Sequence, residues 1–195
     1  MDCEERIVAV KCRLYPNSEQ AELIEKTFGA SRFVYNKLLE GYLQTGNVQP
    51  YGPLKQNYSF LSEVDSLSLD NSRLNLVQAV KNYKSKKAGK PKFKSKKNAK
   101  QSYKTNNVSN SIRFSEDYRF IRLPKLGFVR VRVHRKFDGI IKSAIVTKTK
   151  SGKYFVTVLF KTCVYKLPKA ERIVGIDLGL TALLRCKLYH FNGSS

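Results

Sequence analysis

Between Lys81 and Lys104 the chain carries eleven lysines and no acidic residue, and this run limits the fold more than any other feature. Ammonium groups at that density need water or a polyanion around them, so the stretch cannot pack a core of its own. The core must come from the segments on either side. The lysines are Lys81, Lys84, Lys86, Lys87, Lys90, Lys92, Lys94, Lys96, Lys97, Lys100 and Lys104, and Tyr83, Phe93 and Tyr103 are spaced among them. Cations neutralise phosphates and exposed rings stack on unpaired bases, so the pattern fits nucleic-acid contact. A mobile, solvated linker is the competing reading of the same residues.

The excess of positive charge extends over the whole chain. Its 195 residues include 37 Lys and Arg against 15 Asp and Glu, a net charge of +22. Such a chain repels itself when compact, and a polyanion relieves the repulsion while releasing its own counterions. Nucleic acid is therefore the first partner to expect. A membrane is not expected, because the sequence has neither a basic amphipathic helix with aromatic anchors nor a long apolar run. Met1-Asp2-Cys3-Glu4-Glu5 lacks the layout of a signal peptide. Cys3, Cys12, Cys163 and Cys186 have no CxxC spacing, which points to thiols in a reducing cytoplasm and away from a zinc site.

Hydrophobic periodicity orders the rest. Val8, Val10, Cys12 and Leu14 alternate with Lys11 and Arg13, the mark of a half-buried strand. Asn17 and Gln20 then form a capping-box pair, opening a helix whose apolar face includes Ala21, Ile24, Phe28, Tyr35, Leu38 and Tyr42. Gly29 interrupts that face. Residues 46–60 read as loop, and a second helix is expected over about 62–84 with a stripe of Leu69, Leu76, Val80 and Tyr83. After residue 107 the pattern turns to strands. Val129, Val131 and Val133 alternate with Arg130, Arg132 and His134, and Ser151-Gly152 marks a hairpin. This order predicts an α+β fold, a small β-barrel interrupted by a helical insertion. His134 and His190 have no partners that suggest a nucleophile or a ligand set.

Several words in this order resemble the N-terminal portion of TnpB (OrfB) proteins, transposon-encoded RNA-guided DNA endonucleases related to type V CRISPR effectors. They are Arg13-Leu14-Tyr15-Pro16-Asn17 with Gln20, Gly29-Ala30-Ser31-Arg32-Phe33-Val34-Tyr35-Asn36, Leu61-Ser62-Glu63-Val64-Asp65, Gly89-Lys90-Pro91-Lys92-Phe93-Lys94, Leu123-Pro124-Lys125-Leu126-Gly127 and Gly175-Ile176-Asp177-Leu178-Gly179. The resemblance covers residues 6 to 182. It implies that residues 1–16 give the first strand of an oligonucleotide-binding-like wedge barrel and residues 106–170 the remainder. Residues 17–105 would hold a small helical recognition domain and the basic linker. Residues 171–195 would begin an RNase H-like RuvC domain.

The resemblance also implies roles. Asp177 would be the first RuvC carboxylate and a ligand of Mg²⁺. Two-metal cleavage holds two ions about 4 Å apart and needs several carboxylates, so Asp177 alone gives an incomplete site. Neither the family's Glu and second Asp nor its zinc ribbon is found in the sequence, so no cofactor is expected for these residues by themselves. The sequence ends eighteen residues after Asp177, and the matching stops near Ala182. The expectation is a product truncated in the RuvC domain, with an unpaired apolar edge at Ile173 onward. Arg32, Lys37, Tyr51, Asn71 and the lysines from Lys81 onward are candidates for contact with a double-stranded DNA target beside a short adjacent motif. Lys125, Arg130 and Arg132 are candidates for the backbone of a guide RNA derived from the transposon end. The implied location is cytoplasmic and nucleoid-associated. Four functional readings follow: a remnant that binds nucleic acid without cutting it, a nuclease-dead repressor or regulator of transposition, half of a split nuclease completed by a separate C-terminal fragment, and a generic basic RNA-binding protein.

Overall fold

The structure, a computed structural model, describes residues 3–97, 101–134, 138–165, 172–177 and 185–190. The chain divides into two compact units, Glu5–Thr162 and a smaller one that joins Met1–Glu4 to Cys163–Ser195.

The first strand, β1 (Cys3–Tyr15), buries Val10, Cys12 and Leu14 and turns Lys11 and Tyr15 outward, as its alternation requires. Helix α1 (Ser18–Thr45) opens on the capping box. The Gln20 amide nitrogen donates to Asn17 Oδ1 at 2.8 Å, and the Asn17 nitrogen donates to Gln20 Oε1 at 3.2 Å. Gln20 Nε2 also donates to the carbonyls of Leu126 and Phe128, tying the start of the helix to a distant turn. Gly46, at φ 75°, ends the helix in the left-handed conformation that a residue without Cβ adopts at little cost. Gly29 does not break α1; the space beside it is open.

The segment expected as loop contains a short helix, α2 (Gly52–Asn57), and a 3₁₀ turn over Ser59–Ser62. Helix α3 (Ser66–Lys84) begins later than the periodicity suggests, because Asp65 caps it by accepting from the Leu67 nitrogen at 3.1 Å. Leu69, Leu76 and Val80 are buried as expected, while Tyr83 in the last turn stays exposed.

Seven strands form this unit's sheet in the order β2-β6-β7-β1-β5-β4-β3. They are β2 (Gln101–Asn106), β3 (Arg113–Phe114), β4 (Phe120–Leu123), β5 (Gly127–Arg132), β6 (Ile140–Lys148) and β7 (Tyr154–Tyr165), with β1 between β7 and β5. Among the described residues β2 and β3 are the two free edges, so the sheet is open. Strand β2 lies at the end of the lysine run, where charge hides its alternation: Tyr103 and Thr105 are buried between Ser102, Lys104 and Asn106.

Two cores result. Val10, Cys12, Leu14, Val129, Val131, Val156 and Val158 line the sheet core, which also takes Ile24 and Phe28 from α1. Ala30, Val34, Tyr35, Leu38 and Leu39 of α1 pack with Leu61, Leu69, Leu76 and Val80 in the helical core. Asp65 links the two. Besides capping α3, it accepts a hydrogen bond from the Thr105 hydroxyl on β2, and this contact is buried.

In the smaller unit, β8 (Arg172–Asp177) pairs antiparallel with β9 (Arg185–His190), from Arg172 opposite His190 to Asp177 opposite Arg185. The strand expected to stand unpaired from Ile173 onward therefore has a partner on one side, in residues beyond the matching words; among the described residues its other side has none. Leu178 and Gly179 lie outside the described residues. Cys163 is disulfide-bonded, against the expectation of thiols throughout, whereas Cys12 is free and buried.

Replacing Asp65 by Ala removes a helix cap and strands the Thr105 hydroxyl in the core. The expected loss is about 2–3 kcal/mol in chemical denaturation. A loss within about 0.5 kcal/mol, the ordinary range for surface substitutions, would show that this contact does not join the cores.

Candidate nucleic-acid interface

One face of the sheet buries valines and leucines; the other carries arginines and rings. On β5, Phe128, Arg130 and Arg132 face outward between buried Val129 and Val131, and on β4 Phe120 and Arg122 do so beside buried Ile121 and Leu123. Strand register sets them in rows. Arg130 stands opposite both Phe120 and Tyr15, and Arg122 opposite Phe128. Two pairs oppose like with like, Arg13 with Arg132 and Arg113 with Arg122. Directly opposed like charges destabilise a sheet, so an anion laid across this face would relieve the repulsion.

The rings hold some of these cations. Arg13 lies over Phe155 at 5.0 Å and Tyr15 at 5.6 Å, Lys11 over Phe155 at 4.5 Å and Arg113 over Phe128 at 5.9 Å. Tyr15, Phe120 and Phe128 keep 46%, 40% and 49% of their surface exposed, enough for a base to stack on. The Nε of Arg13 is buried without a hydrogen-bond partner. Lys125 occupies the adjoining turn in the left-handed conformation, φ 64°.

The lysine run is a tether laid on the helices. Lys81 and Lys84 fall in the last turn of α3, where positive charge complements the carbonyl end of the helix. Lys86 turns back in the left-handed conformation, its nitrogen donating to the Tyr83 carbonyl. Lys87, Lys90 and Lys92 are exposed. At Lys94 the tether is pinned. Asn36 on α1 donates through Nδ2 to the Lys94 carbonyl at 3.0 Å and accepts from the Lys94 nitrogen at 2.8 Å, imitating one rung of a sheet. The Lys94 ammonium sits 4.0 Å from the centre of the Tyr35 ring, and desolvation there holds it below the usual lysine range. The contact with Asn36 corrects the picture of a mobile linker at this point. Lys100 lies outside the described residues.

The pinned tether and α1 enclose a basic groove of about 460 Å³, lined by Gly29, Arg32, Lys96, Lys97, Lys148 and Lys150 among others. Gly29 contributes an open floor where a side chain would stand. Arg32 donates to Gln101 Oε1 at 2.9 Å, which fixes its guanidinium at the groove edge. Glu25, also in the lining, holds Lys148 at 2.7 Å and accepts from the Tyr154 hydroxyl at 2.9 Å; this raises the Lys148 pKa and keeps the ammonium charged.

The other residues singled out in the sequence are placed as follows. Lys37 is paired with Glu40 at 2.9 Å on the exposed helix face, which raises its pKa. Tyr51 precedes α2 and donates its hydroxyl to the Ser66 carbonyl at 3.3 Å, at the start of α3. Asn71 is buried, its Nδ2 donating to the Leu67 carbonyl, and it lines a cavity and not an open surface. Tyr103 is buried against Phe28 at 5.6 Å, so stacking on a base is left to Tyr83 and Phe93, which are exposed. Lys104 is part of β2, opposite Ile145. Sequence reasoning misses Lys11, Arg13, Tyr15, Arg113, Phe120, Arg122 and Phe128 as members of one surface. The alternation in each strand is readable, but their adjacency comes from strand order.

Asp177 is the last residue of β8, and its side chain lies outside the described residues. Among the described residues no three or more His, Cys, Asp or Glu side chains come together as a metal would require. No cleavage step is derived from the described donors. No described helix is long and apolar enough to cross a membrane.

Residues 4–45 match the family model HTH_OrfB_IS605, described as a helix-turn-helix domain; here that segment is β1 followed by the single helix α1. Over 192 aligned residues the chain is 29% identical to a "Putative RNA-guided DNA endonuclease" of Streptomyces pristinaespiralis, covering 90% of this chain and 47% of the relative. It is 27% identical over 192 residues to "Putative RNA-guided DNA endonuclease InsQ" of Escherichia coli K12, covering 91% of this chain and 46% of that protein. The chain thus spans about half the length of the curated relatives it matches.

Replacing Asn36 by Ala removes both bonds that pin the tether. Trypsin is expected to cleave within residues 86–97 several-fold faster, with the helical circular dichroism unchanged. An unchanged cleavage rate would show that other contacts hold Lys94 in place.

Proposed function

We propose that this chain is a TnpB/OrfB-like, transposon-associated nucleic-acid-binding protein that engages a guide RNA and a DNA target through two basic surfaces. The outer face of the sheet takes the place of the wedge-like oligonucleotide-binding element and tracks the RNA. Its arginines meet phosphates, and Tyr15, Phe120 and Phe128 stack on bases that are not paired. The helices, the tether and the basic groove face the DNA duplex beside the target, with Arg32 and the tether lysines as phosphate contacts and Tyr51 as a further contact from the helical part. The RNA is expected to derive from the transposon end, and the duplex to carry a short adjacent motif.

The observation that carries the reading is the opposed arginine pairs, Arg13 with Arg132 and Arg113 with Arg122. A surface that only needed solvation would not set like charges across a strand pair, whereas a polyanion makes the arrangement favourable. In this reading Asp177 is the first carboxylate of an RNase H-like site. Cleavage needs further carboxylates, so the activity assigned to these residues is binding.

Fluorescence anisotropy over a salt series tests the proposal. The double variant Arg122→Ala, Arg130→Ala is expected to weaken RNA binding and to flatten the slope of log K against log salt by about one per lost phosphate contact. Phe128→Ala should cost about 1–3 kcal/mol on single-stranded RNA if a base stacks there. Sequencing of RNA that co-purifies with the chain should return transposon-end sequence. Unchanged affinity and slope in the double variant would remove the sheet face from the proposal.

A further inference from the structure

Beneath the tether, separate from the outer sheet face, lies a polar cavity of about 320 Å³. Ser31 and Arg32 of α1, Asn71 and Asn75 of α3, and Lys94 of the tether all line it. Phe28 and Tyr103 supply an apolar wall. Ser31 is 5% exposed, and its Oγ has no hydrogen-bond partner. A buried hydroxyl left unpaired is costly, and native structures seldom keep one without a use. Asn71 donates to the Leu67 carbonyl at 2.7 Å and the neighbouring Ser72 to the Ser68 carbonyl at 3.0 Å. Those bonds orient both side chains and leave their oxygens able to accept. The charge of the lining is one-sided: Arg32, Lys94 and Lys104 belong to it and no carboxylate does. Desolvation already disfavours the charge on Lys94, and an anion beside it would restore that charge.

We propose that this cavity is a binding site for a single unstacked nucleotide, its phosphate between Arg32 and Lys94 and its base edge against Ser31, Asn71 and Asn75. The volume is at the lower end for a small-molecule pocket, which suits one nucleotide and leaves no room for a second. Side-chain amides and hydroxyls are the groups that read the hydrogen-bonding edge of a base, and the Phe28–Tyr103 wall offers its face an apolar surface. The proposal rests on the nucleic-acid-binding reading and adds to it a point where a bound strand would surrender one base from its stack.

Titration of the ¹⁵N-labelled full chain tests this by NMR. The probes are the four nucleoside monophosphates in ribo and deoxy form, and inorganic phosphate alone. At least one nucleotide is expected to saturate the signals of Ser31, Asn71 and Asn75, and to bind several-fold more tightly than phosphate. A preference for the ribo or the deoxy form then tells whether the strand is RNA or DNA. Ser31→Ala and Asn75→Ala should each weaken that nucleotide about fivefold. Both variants should leave the salt dependence of polynucleotide binding at the sheet face unaltered. Absence of shifts at these residues, equal binding of inorganic phosphate, or variants that bind the nucleotide as the parent does would each overturn the proposal. In those cases polynucleotide binding that still depends on Arg122 and Arg130 keeps the broader function standing, so the two failures are distinguishable.

Discussion

Helix α1 belongs to two cores at once, and the large unit depends on that double burial. Its first turns place Ile24 and Phe28 against the sheet, and its later turns place Val34, Leu38 and Leu39 against α3. A 28-residue helix is long enough to do both because nothing interrupts its hydrogen-bond ladder. Gly29 lies between the two buried stretches and weakens the ladder only slightly. The same glycine leaves open the floor of the basic groove. A position that looks like a flaw in the helical pattern is therefore where the wall of the groove stays open.

Charge and core are kept apart by period and by position. In the strands, alternation sends valine inward and arginine outward, so one segment serves packing and electrostatics together. In the tether the residues between the lysines supply no core, Phe93 staying exposed, and single residues take hold of the fold: Asn36 on the Lys94 backbone and Arg32 on Gln101. Asp65 is the counterpart inside, one of few acidic residues in a very basic chain, used to cap α3 and to receive the Thr105 hydroxyl. The buried part of the fold is thus ordinary, and the unusual composition sits where solvent or a polyanion can answer it.

Much of this fold is legible in the order of residues alone. The capping box at Asn17 and Gln20, the strand at 7–14, the valine–arginine alternation at 129–132 and the hairpin at Gly152 are local patterns, and local patterns survive because their hydrogen bonds close within a few residues. Other features escape the sequence for physical reasons. β2 is hidden because a polar strand at the end of the lysine run looks like a linker until its partner β6 is known. Periodicity places the start of α3 too early because Leu61 and Val64, before Asp65, also pack, though outside the α-helix. Tyr103 sits in the sequence among rings open to bases, yet burial against Phe28 decides otherwise.

Charge, periodicity and motif order are properties of the chain itself, so the residues in order are enough to make it basic, α+β and similar to putative RNA-guided DNA endonucleases. Tertiary structure decided which cations share a surface. Arg13 and Arg132 are far apart in the chain and opposite in the sheet, and Ser31, Asn71 and Lys94 meet only around one cavity. Long-range adjacency is set by strand order and helix packing, and no local pattern encodes it.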